Sequence, residues 1–338
     1  MAIFYSSGKP NILVTGGAGF IGSNLIDKLL TDNHVICIDD FSTGQENNID
    51  HLLQNANFEF VRHNLVEPID LLKLPELKKF HLATQGIQQI YHLACPTAAY
   101  DNKKMLVETL VINSQATKNT LDLAHQFKAK LLFVSSSAVY GETEGREPIR
   151  EDYWGMVNIF GERANYYEGK RFAECLVHNY GLANNLEVKV VRLFNTYGPR
   201  MKIEAGFMIP DLICRALANE AITIHGQKDW NTTFCYIDDA IDGLIKVMNN
   251  KVTSPINIGS DQVVKLSQLV DNIIQLTESK SQVTFDNFVD SQLIRNIPSL
   301  ELIKNETEWM PFISLEKGLK QTIDEIKINA HHYILTKK

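Results

Sequence analysis

Tyr166 and Lys170 stand four residues apart in the segment YYEGK. On a helix that spacing puts both side chains on one face, one turn apart. A free phenol has a pKa of about 10. A nearby ammonium and a cationic ring in front of it favour phenolate and lower that value. The pair therefore predicts a general base for a hydroxyl whose carbon gives up hydride. Tyr167 lies beside Tyr166, but only Tyr166 has a lysine four positions later. The run SSSAVYG (135–141) adds hydroxyls. A side chain at the carboxyl end of a parallel strand faces the ligand crevice, so Ser136 or Ser137 is expected to hydrogen-bond the reacting oxygen. Each feature also has a plain alternative: two exposed helix residues for the YxxxK spacing, and strand-end caps for the serines.

Hydride chemistry needs an acceptor, and the first forty residues carry a pattern for one. TGGAGFIG places Gly16, Gly19 and Gly22 between an apolar strand, 11–15, and a helical pattern through Ile21, Leu25, Leu29 and Leu30. The first glycine permits a tight turn, the second lets a pyrophosphate approach the backbone, and the third allows close helix–strand packing. The helix start offers free N–H groups to the phosphates. Asp39 ends the next strand and Asp40 follows it; a carboxylate there accepts from both ribose hydroxyls and repels a 2′-phosphate. No Arg or Lys lies in DDFSTG, so NAD is expected rather than NADP. The residues expected to hold it are Gly16, Gly19, Phe20, Ile21, Gly22, Asp39, Asp40, Asn64, Leu93, Ala94 and Lys170.

The elements that must position these groups read as alternating strands and helices. Strands are predicted at 11–15, 35–39, 58–62, 90–94, 131–136 and 188–194, with long helices at about 104–126 and 166–184. This alternation predicts an α/β fold, a Rossmann doubly wound parallel sheet with right-handed crossovers. After about residue 195 the pattern loosens, with helices expected at 207–219, 239–249, 266–278 and 315–328. Residues 1–194 are thus expected to form the NAD-binding part, and 195–338 a smaller C-terminal α/β substrate lobe, interleaved with it and without a clear linker. The polar stretch 66–88 reads as an insertion of surface loop and short helix.

Composition narrows the classes. The chain has 338 residues, a formal net charge of −7, 44% apolar and 22% charged residues. Scattered Lys and Arg argue against nucleic acid as a partner. No apolar run is long enough for a membrane span, and the N-terminus lacks a signal-peptide layout. The five cysteines (Cys37, Cys95, Cys175, Cys214 and Cys235) are widely spaced with no CxxC pair. Buried free thiols in a reducing cytoplasm are expected, with no metal site.

The segments TGGAGFIGSNL, HLACP, EDYWGMVNIFGERANYYEGKR, RLFNTYGPRM and FCYIDDAIDGL resemble the extended short-chain dehydrogenase/reductases that act on nucleotide sugars, within the NAD-dependent epimerase/dehydratase family. The nearest likeness is to UDP-glucuronate decarboxylases, over roughly residues 11–325. The resemblance implies oxidation at sugar C4 with retained NAD. It makes Tyr166 the base and Ser136 and Lys170 its catalytic partners. Ser137, Arg163, Asn195 and Arg295 become substrate-binding residues, Asn195 near the sugar diphosphate and Arg295 gripping it. The implied ligand is a UDP-linked sugar. A homodimer is implied too, pairing through the 104–126 and 166–184 helices.

The departures from that pattern have chemical weight. Decarboxylases and dehydratases usually read T-S-E or T-D-E where this chain has Ser136, Ser137 and Ala138. An arginine usual two residues before the phenylalanine of FCY is Thr232, and another after GPRM is Phe207. SSSAVYG is the form more often seen in 4-epimerases, which need no acid at position 138. Decarboxylation and 4-epimerisation therefore both stand as expectations, beside a non-catalytic NAD or nucleotide-sugar sensor.

Overall fold

A computed structural model describes residues 8–329 apart from 144, 146, 204 and 287–295. Its centre is a parallel sheet whose strands are hydrophobic on both faces. We number the strands along the chain: β1 (Asn11–Thr15), β2 (His34–Asp39), β3 (Phe58–Arg62), β4 (Gln89–His92), β5 (Lys130–Ser136), β6 (Val188–Leu193), β7 (Thr196–Tyr197), β8 (Ile222–His225), β9 (Asn231–Thr233), β10 (Cys235–Tyr236), β11 (Ile256–Ile258), β12 (Val263–Lys265) and β13 (Val283–Asp286). The main sheet has seven strands in the order β11-β6-β5-β4-β1-β2-β3. Strand direction of build reverses between β1 and β4, which opens a crevice at the carboxyl ends of those two strands.

Alternation along β1 shows why the sheet needs cover on both sides. Ile12 and Val14 enter one core with Leu25 and Ile26 of the helix Phe20–Leu29, while Leu13 enters the other with Leu121 and Ala124 of the helix Thr117–Phe127. Such strands are stable only between two helical layers. The doubly wound Rossmann sheet expected from the sequence is present.

The long helix expected at 104–126 is broken. A short helix, Ala99–Lys104, ends at Met105, whose backbone leaves helical geometry (φ −118°, ψ 52°). Helix Leu106–Val111 then widens into a π-helical segment, Ile112–Ala116, before Thr117–Phe127 continues. The cause is local: Asn113 donates from Nδ2 to the Thr109 carbonyl and Ser114 from Oγ to the Leu110 carbonyl, both at 2.8 Å. Side chains that bond to the preceding turn compete with its ladder and bend it. The insertion at 66–88 consists of short 3₁₀ turns and the helix Leu82–Gln85, but it is not merely superficial. Leu71, Leu77, Phe80 and Leu82 are buried in the second core.

The chain beyond residue 194 returns to the main sheet. Strand β11 pairs with β6, matching Ile256 to Val191 and Ile258 to Leu193. The remaining short strands form three two-stranded pairs, and the helices Met208–Ala218, Ile237–Asn249, Leu266–Thr277 and Leu315–Asn329 follow the expected positions. A seventh-strand contribution and the helix Glu301–Thr307 were not legible in the apolar pattern. Cys37, Cys214 and Cys235 are buried free thiols, as expected, but Cys175 is exposed on the helix Ala164–Asn184. No helix among the described residues is long and apolar enough to cross a membrane.

His92, at the end of β4, is sealed between elements. Its Nδ1 meets Thr15 Oγ1 at 2.7 Å and its Nε2 meets Thr117 Oγ1 at 3.2 Å. Burial, and then the Lys170 charge, push its pKa down to about 3. The folded state therefore holds a neutral ring where the unfolded chain takes up a proton. Stability contributed by His92 is present above about pH 6.5 and is lost as pH falls toward 3. We expect about 2 kcal/mol of folding free energy to disappear through this residue between about pH 7 and pH 5. Denaturant titrations of wild type and His92→Gln across that range check it: the wild type should carry the steeper pH slope.

Candidate active site

The glycine turn is shaped by contact with the neighbouring strand. Gly16 adopts φ +71°, and a Cβ there would lie 2.7 Å from the Ala94 backbone nitrogen. A Cβ on Gly22 would overlap the Gly16 carbonyl oxygen and come within 2.7 Å of Gly17 Cα. Gly19 precedes the helix Phe20–Leu29 with no side-chain cap, which leaves the first-turn amides for an anion. Asp39 is buried beside this turn. Its Oδ2 accepts from Ala18 N at 3.0 Å and its Oδ1 from Phe41 N at 2.8 Å. Burial raises its pKa, and these backbone donors work against that rise.

A cavity of about 260 Å³ runs along this crevice. Its lining includes Gly16, Gly19, Phe20, Ile21, Gly22, Asp39, Asp40, Asn64, Leu93, Ala94 and Lys170, the whole set expected to hold a dinucleotide. A second cavity of about 400 Å³ is lined among others by Arg163 and, from beyond residue 194, by Asn195, Phe207, Arg215 and His225. Ser136 and Tyr166 line both cavities, with Thr97, Thr196, Met201 and Phe207.

The helix Ala164–Asn184 sets the chemistry at this junction. Lys170 Nζ donates to the Val134 carbonyl of β5 at 2.8 Å and sits 4.7 Å from the centre of the Phe133 ring. One turn further on, Glu174 accepts from Ser135 Oγ at 2.6 Å and pairs with Arg192 of β6 at 2.8 Å. These bonds fix the helix register on the sheet, so Tyr166 meets Ser136. Gly169 makes the close approach possible, because a Cβ there would crowd Asn113 of the π segment at 3.0 Å. The Ser136 hydroxyl also accepts from Ala138 N at 3.1 Å.

The electrostatics differ from the simple picture of an ammonium acidifying a phenol. Tyr166 is almost wholly buried, and that burial raises its pKa, with the Cys95 thiol adding to the rise. The Ser136 hydroxyl and the Arg163 guanidinium oppose it. Burial likewise lowers the pKa of Lys170, whose ammonium is engaged by the Val134 carbonyl. Sharing a helix face brings the two residues to one site, but strand and helix packing direct Lys170 toward the sheet.

The other expected substrate residues are spread unevenly. Arg163 and Asn195 line the second cavity. Asn195 Nδ2 lies 3.3 Å from Thr232 Oγ1. Thr232 itself is fully buried on β9 and lines neither cavity. Ser137 and Ala138 are buried on a 3₁₀ turn behind Ser136, outside both linings. Arg295 lies outside the described residues. Sequence reasoning passed over Thr97, whose carbonyl accepts from Arg163 Nη2 at 3.1 Å, and Arg200, which lines the first cavity and pairs with Asp27 at 2.6 Å. Arg200, in the GPRM segment, adopts φ +70°, a conformation its surroundings must hold.

Residues 12–259 match the model of the NAD dependent epimerase/dehydratase family. The chain belongs to that family. It is similar to UDP-glucuronic acid decarboxylase 1 of Xenopus tropicalis, 37% identical over 325 residues that cover 96% of this chain and 74% of the relative. It is also similar to UDP-glucuronic acid decarboxylase 6 of Arabidopsis thaliana, 36% identical over 96% of this chain and 91% of the relative. Among solved structures it resembles UDP-glucuronic acid 4-epimerase from Bacillus cereus in complex with UDP-glucuronic acid and NAD. That match has a TM-score of 0.80 and 28% identity, covering 94% of this chain and 99% of the other. The chain is accordingly an NAD-dependent enzyme, and the glycine cradle, open helix start and Asp39 carboxylate fit a dinucleotide.

Gly22→Ala tests the cradle. The added methyl would have to displace the Gly16 carbonyl, so we expect a destabilisation of about 1–3 kcal/mol and loss of co-purified NAD. Thermal melts and the dinucleotide content of the purified variant measure both.

Proposed function

We propose that this enzyme oxidises C4 of a UDP-linked uronic acid, with the sugar in the second cavity and NAD retained in the first. The observation that carries the proposal is that Ser136 and Tyr166 line both cavities. A hydroxyl-bearing carbon at that junction faces a proton acceptor on one side and the dinucleotide crevice on the other. NAD, when bound, supplies the acceptor for the hydride that leaves C4. Gly16, Gly19, Gly22 and the first-turn amides hold its pyrophosphate, and Asp39 its ribose hydroxyls. Tyr166 takes the proton of the C4 hydroxyl while Ser136 holds that oxygen in line. Arg163, together with the positive charge that a bound oxidised cofactor brings, favours the phenolate that burial disfavours. Asn195, which lines the second cavity, is assigned to the diphosphate of the nucleotide sugar.

The resulting sugar is a β-keto acid, which loses CO₂ readily: the C5–carboxylate bond breaks, C5 takes up a proton, and the hydride returns to C4, leaving a UDP-pentose with no net oxidation. The curated relatives at 36–37% identity are decarboxylases. Decarboxylation is therefore the fate we assign. A second reading, 4-epimerisation, is favoured by the absence of a carboxylate at Ala138 and of a cation at Thr232, both buried away from the cavities. Incubation with UDP-glucuronate separates the two: release of CO₂ with a UDP-pentose marks the decarboxylase, and UDP-galacturonate marks the epimerase. Formation of neither refutes the uronate assignment. Tyr166→Phe should reduce turnover by about 10²–10⁴-fold while leaving NAD bound; a fall of less than tenfold would favour a non-catalytic sensor.

The proposal includes a homodimer. Leu106, Val107 and Leu110 are exposed on the helix Leu106–Val111, and Phe172 is exposed on the helix Ala164–Asn184 that packs against it. Adjacent exposed apolar residues on two helices suit a self-complementary contact about a two-fold axis. The double change Val107→Glu, Phe172→Glu should convert dimer to monomer, as read by light scattering on a sizing column.

A further inference from the structure

Arg163 is about nine-tenths buried and lines the sugar-side cavity beside Tyr166. Its guanidinium carbon lies 5.1 Å from the centre of the Tyr166 ring and 5.6 Å from that of Tyr167. Its guanidinium donates from Nη2 to the Thr97 carbonyl at 3.1 Å. Nε is buried and has no hydrogen-bond partner among the described residues. The neighbouring carboxylate, Glu162, pairs instead with Lys103 at 2.6 Å. A guanidinium has five N–H donors, and a buried cation without an anion is costly. A charge kept in this state in the second cavity, beside Tyr166 at the junction, is suited to a partner that arrives with the ligand.

Resting on the reading of the site as a UDP-uronate C4 oxidase, we infer that Arg163 is the residue that selects the uronate, by pairing with the sugar carboxylate. The geometry supports this at the required place. The carboxylate of a uronic acid is carried on C5, next to the C4 whose hydroxyl must reach Tyr166. A carboxylate on that neighbouring carbon comes within range of a guanidinium stacked near the phenol ring. The fork geometry of arginine matches a carboxylate in two hydrogen bonds. Arg163 also does what Thr232 and Phe207 cannot, since neither of those positions carries a cation in this chain. Thr97 fixes the fork from the opposite side, and it too lines both cavities. Neutral hexoses leave the buried charge unanswered, so they are disfavoured without any steric clash.

The competing role is purely electrostatic, with Arg163 serving the Tyr166 phenolate and nothing else. Arg163→Gln and Arg163→Lys, prepared as NAD-loaded enzyme, separate the two. Calorimetric binding and substrate-driven reduction of bound NAD are measured with UDP-glucuronate and with UDP-glucose. Carboxylate pairing predicts that Arg163→Gln loses about 30-fold or more in preference for UDP-glucuronate over UDP-glucose. Arg163→Lys, which keeps the charge but not the fork, should lose about fivefold. It serves as the folded control if the glutamine variant does not fold. An equal fall with both sugars, accompanied by a shifted pH profile, overturns the inference, and so does an unchanged preference. Wild type that neither binds nor oxidises UDP-glucuronate overturns the uronate reading and the inference together; wild type that oxidises it, with preference unmoved in the variants, overturns the inference alone.

Discussion

The junction between the two cavities depends on how one helix is fastened to one strand. Lys170 reaches the Val134 carbonyl, and Glu174 links Ser135 to Arg192, so consecutive turns of the helix are tied to β5 and β6. A half-turn slip would break a buried ammonium–carbonyl bond and a largely buried ion pair at once, and removing one partner of such a pair typically costs several kcal/mol. That register sets Tyr166 against Ser136. The network extends outward, since Arg192 also donates to the Tyr140 hydroxyl at 3.0 Å, which in turn donates to Asn257 Oδ1 at 2.7 Å. Asn257 belongs to β11, so the strand contributed by the C-terminal part braces the same site from below.

Burial gives this site its chemical character. A dry environment works against ionising the phenol and against charging the lysine, and the raised and lowered pKa values of Tyr166 and Lys170 are two expressions of the same cost. Groups that offset it are therefore significant. Ser136 offers a hydrogen bond, and Arg163 a charge. The same low-dielectric surroundings strengthen any pairing made there.

The departures from the usual family pattern acquire a spatial meaning. Ala138 and Thr232 do not sit as gaps in a cavity wall. Thr232 has become part of the support for Asn195, and Ala138 part of the turn that positions Ser136. Phe207 does face both cavities, placing an aromatic surface where the resemblance implied a cation. The arginines that line the second cavity are Arg163 and Arg215.

Much of this was legible in the residues alone. The GxxGxxG turn followed by an acid at the next strand end can be read locally, because a turn, a helix start and a strand end follow each other within one unit. All of the residues read as dinucleotide contacts gather in one crevice. The YxxxK spacing likewise announced one helix face. Single-sequence periodicity did not disclose the break at Met105 or the π segment, because these come from side chains of Thr109, Asn113 and Ser114 bonding to the helix backbone. Nor did it reveal that β11 would join the sheet, since a three-residue strand has too few positions to show a period. The sequence by itself determined the fold class, the cofactor turn and the shared helix face of Tyr166 and Lys170, because local spacing suffices for those. Only the tertiary structure decided where Lys170 points, that Phe207 lines both cavities while Ala138 and Thr232 lie behind them, and that Arg163 is buried with no carboxylate paired to it among the described residues. Those outcomes depend on distant chain segments meeting, and on how completely their meeting excludes water.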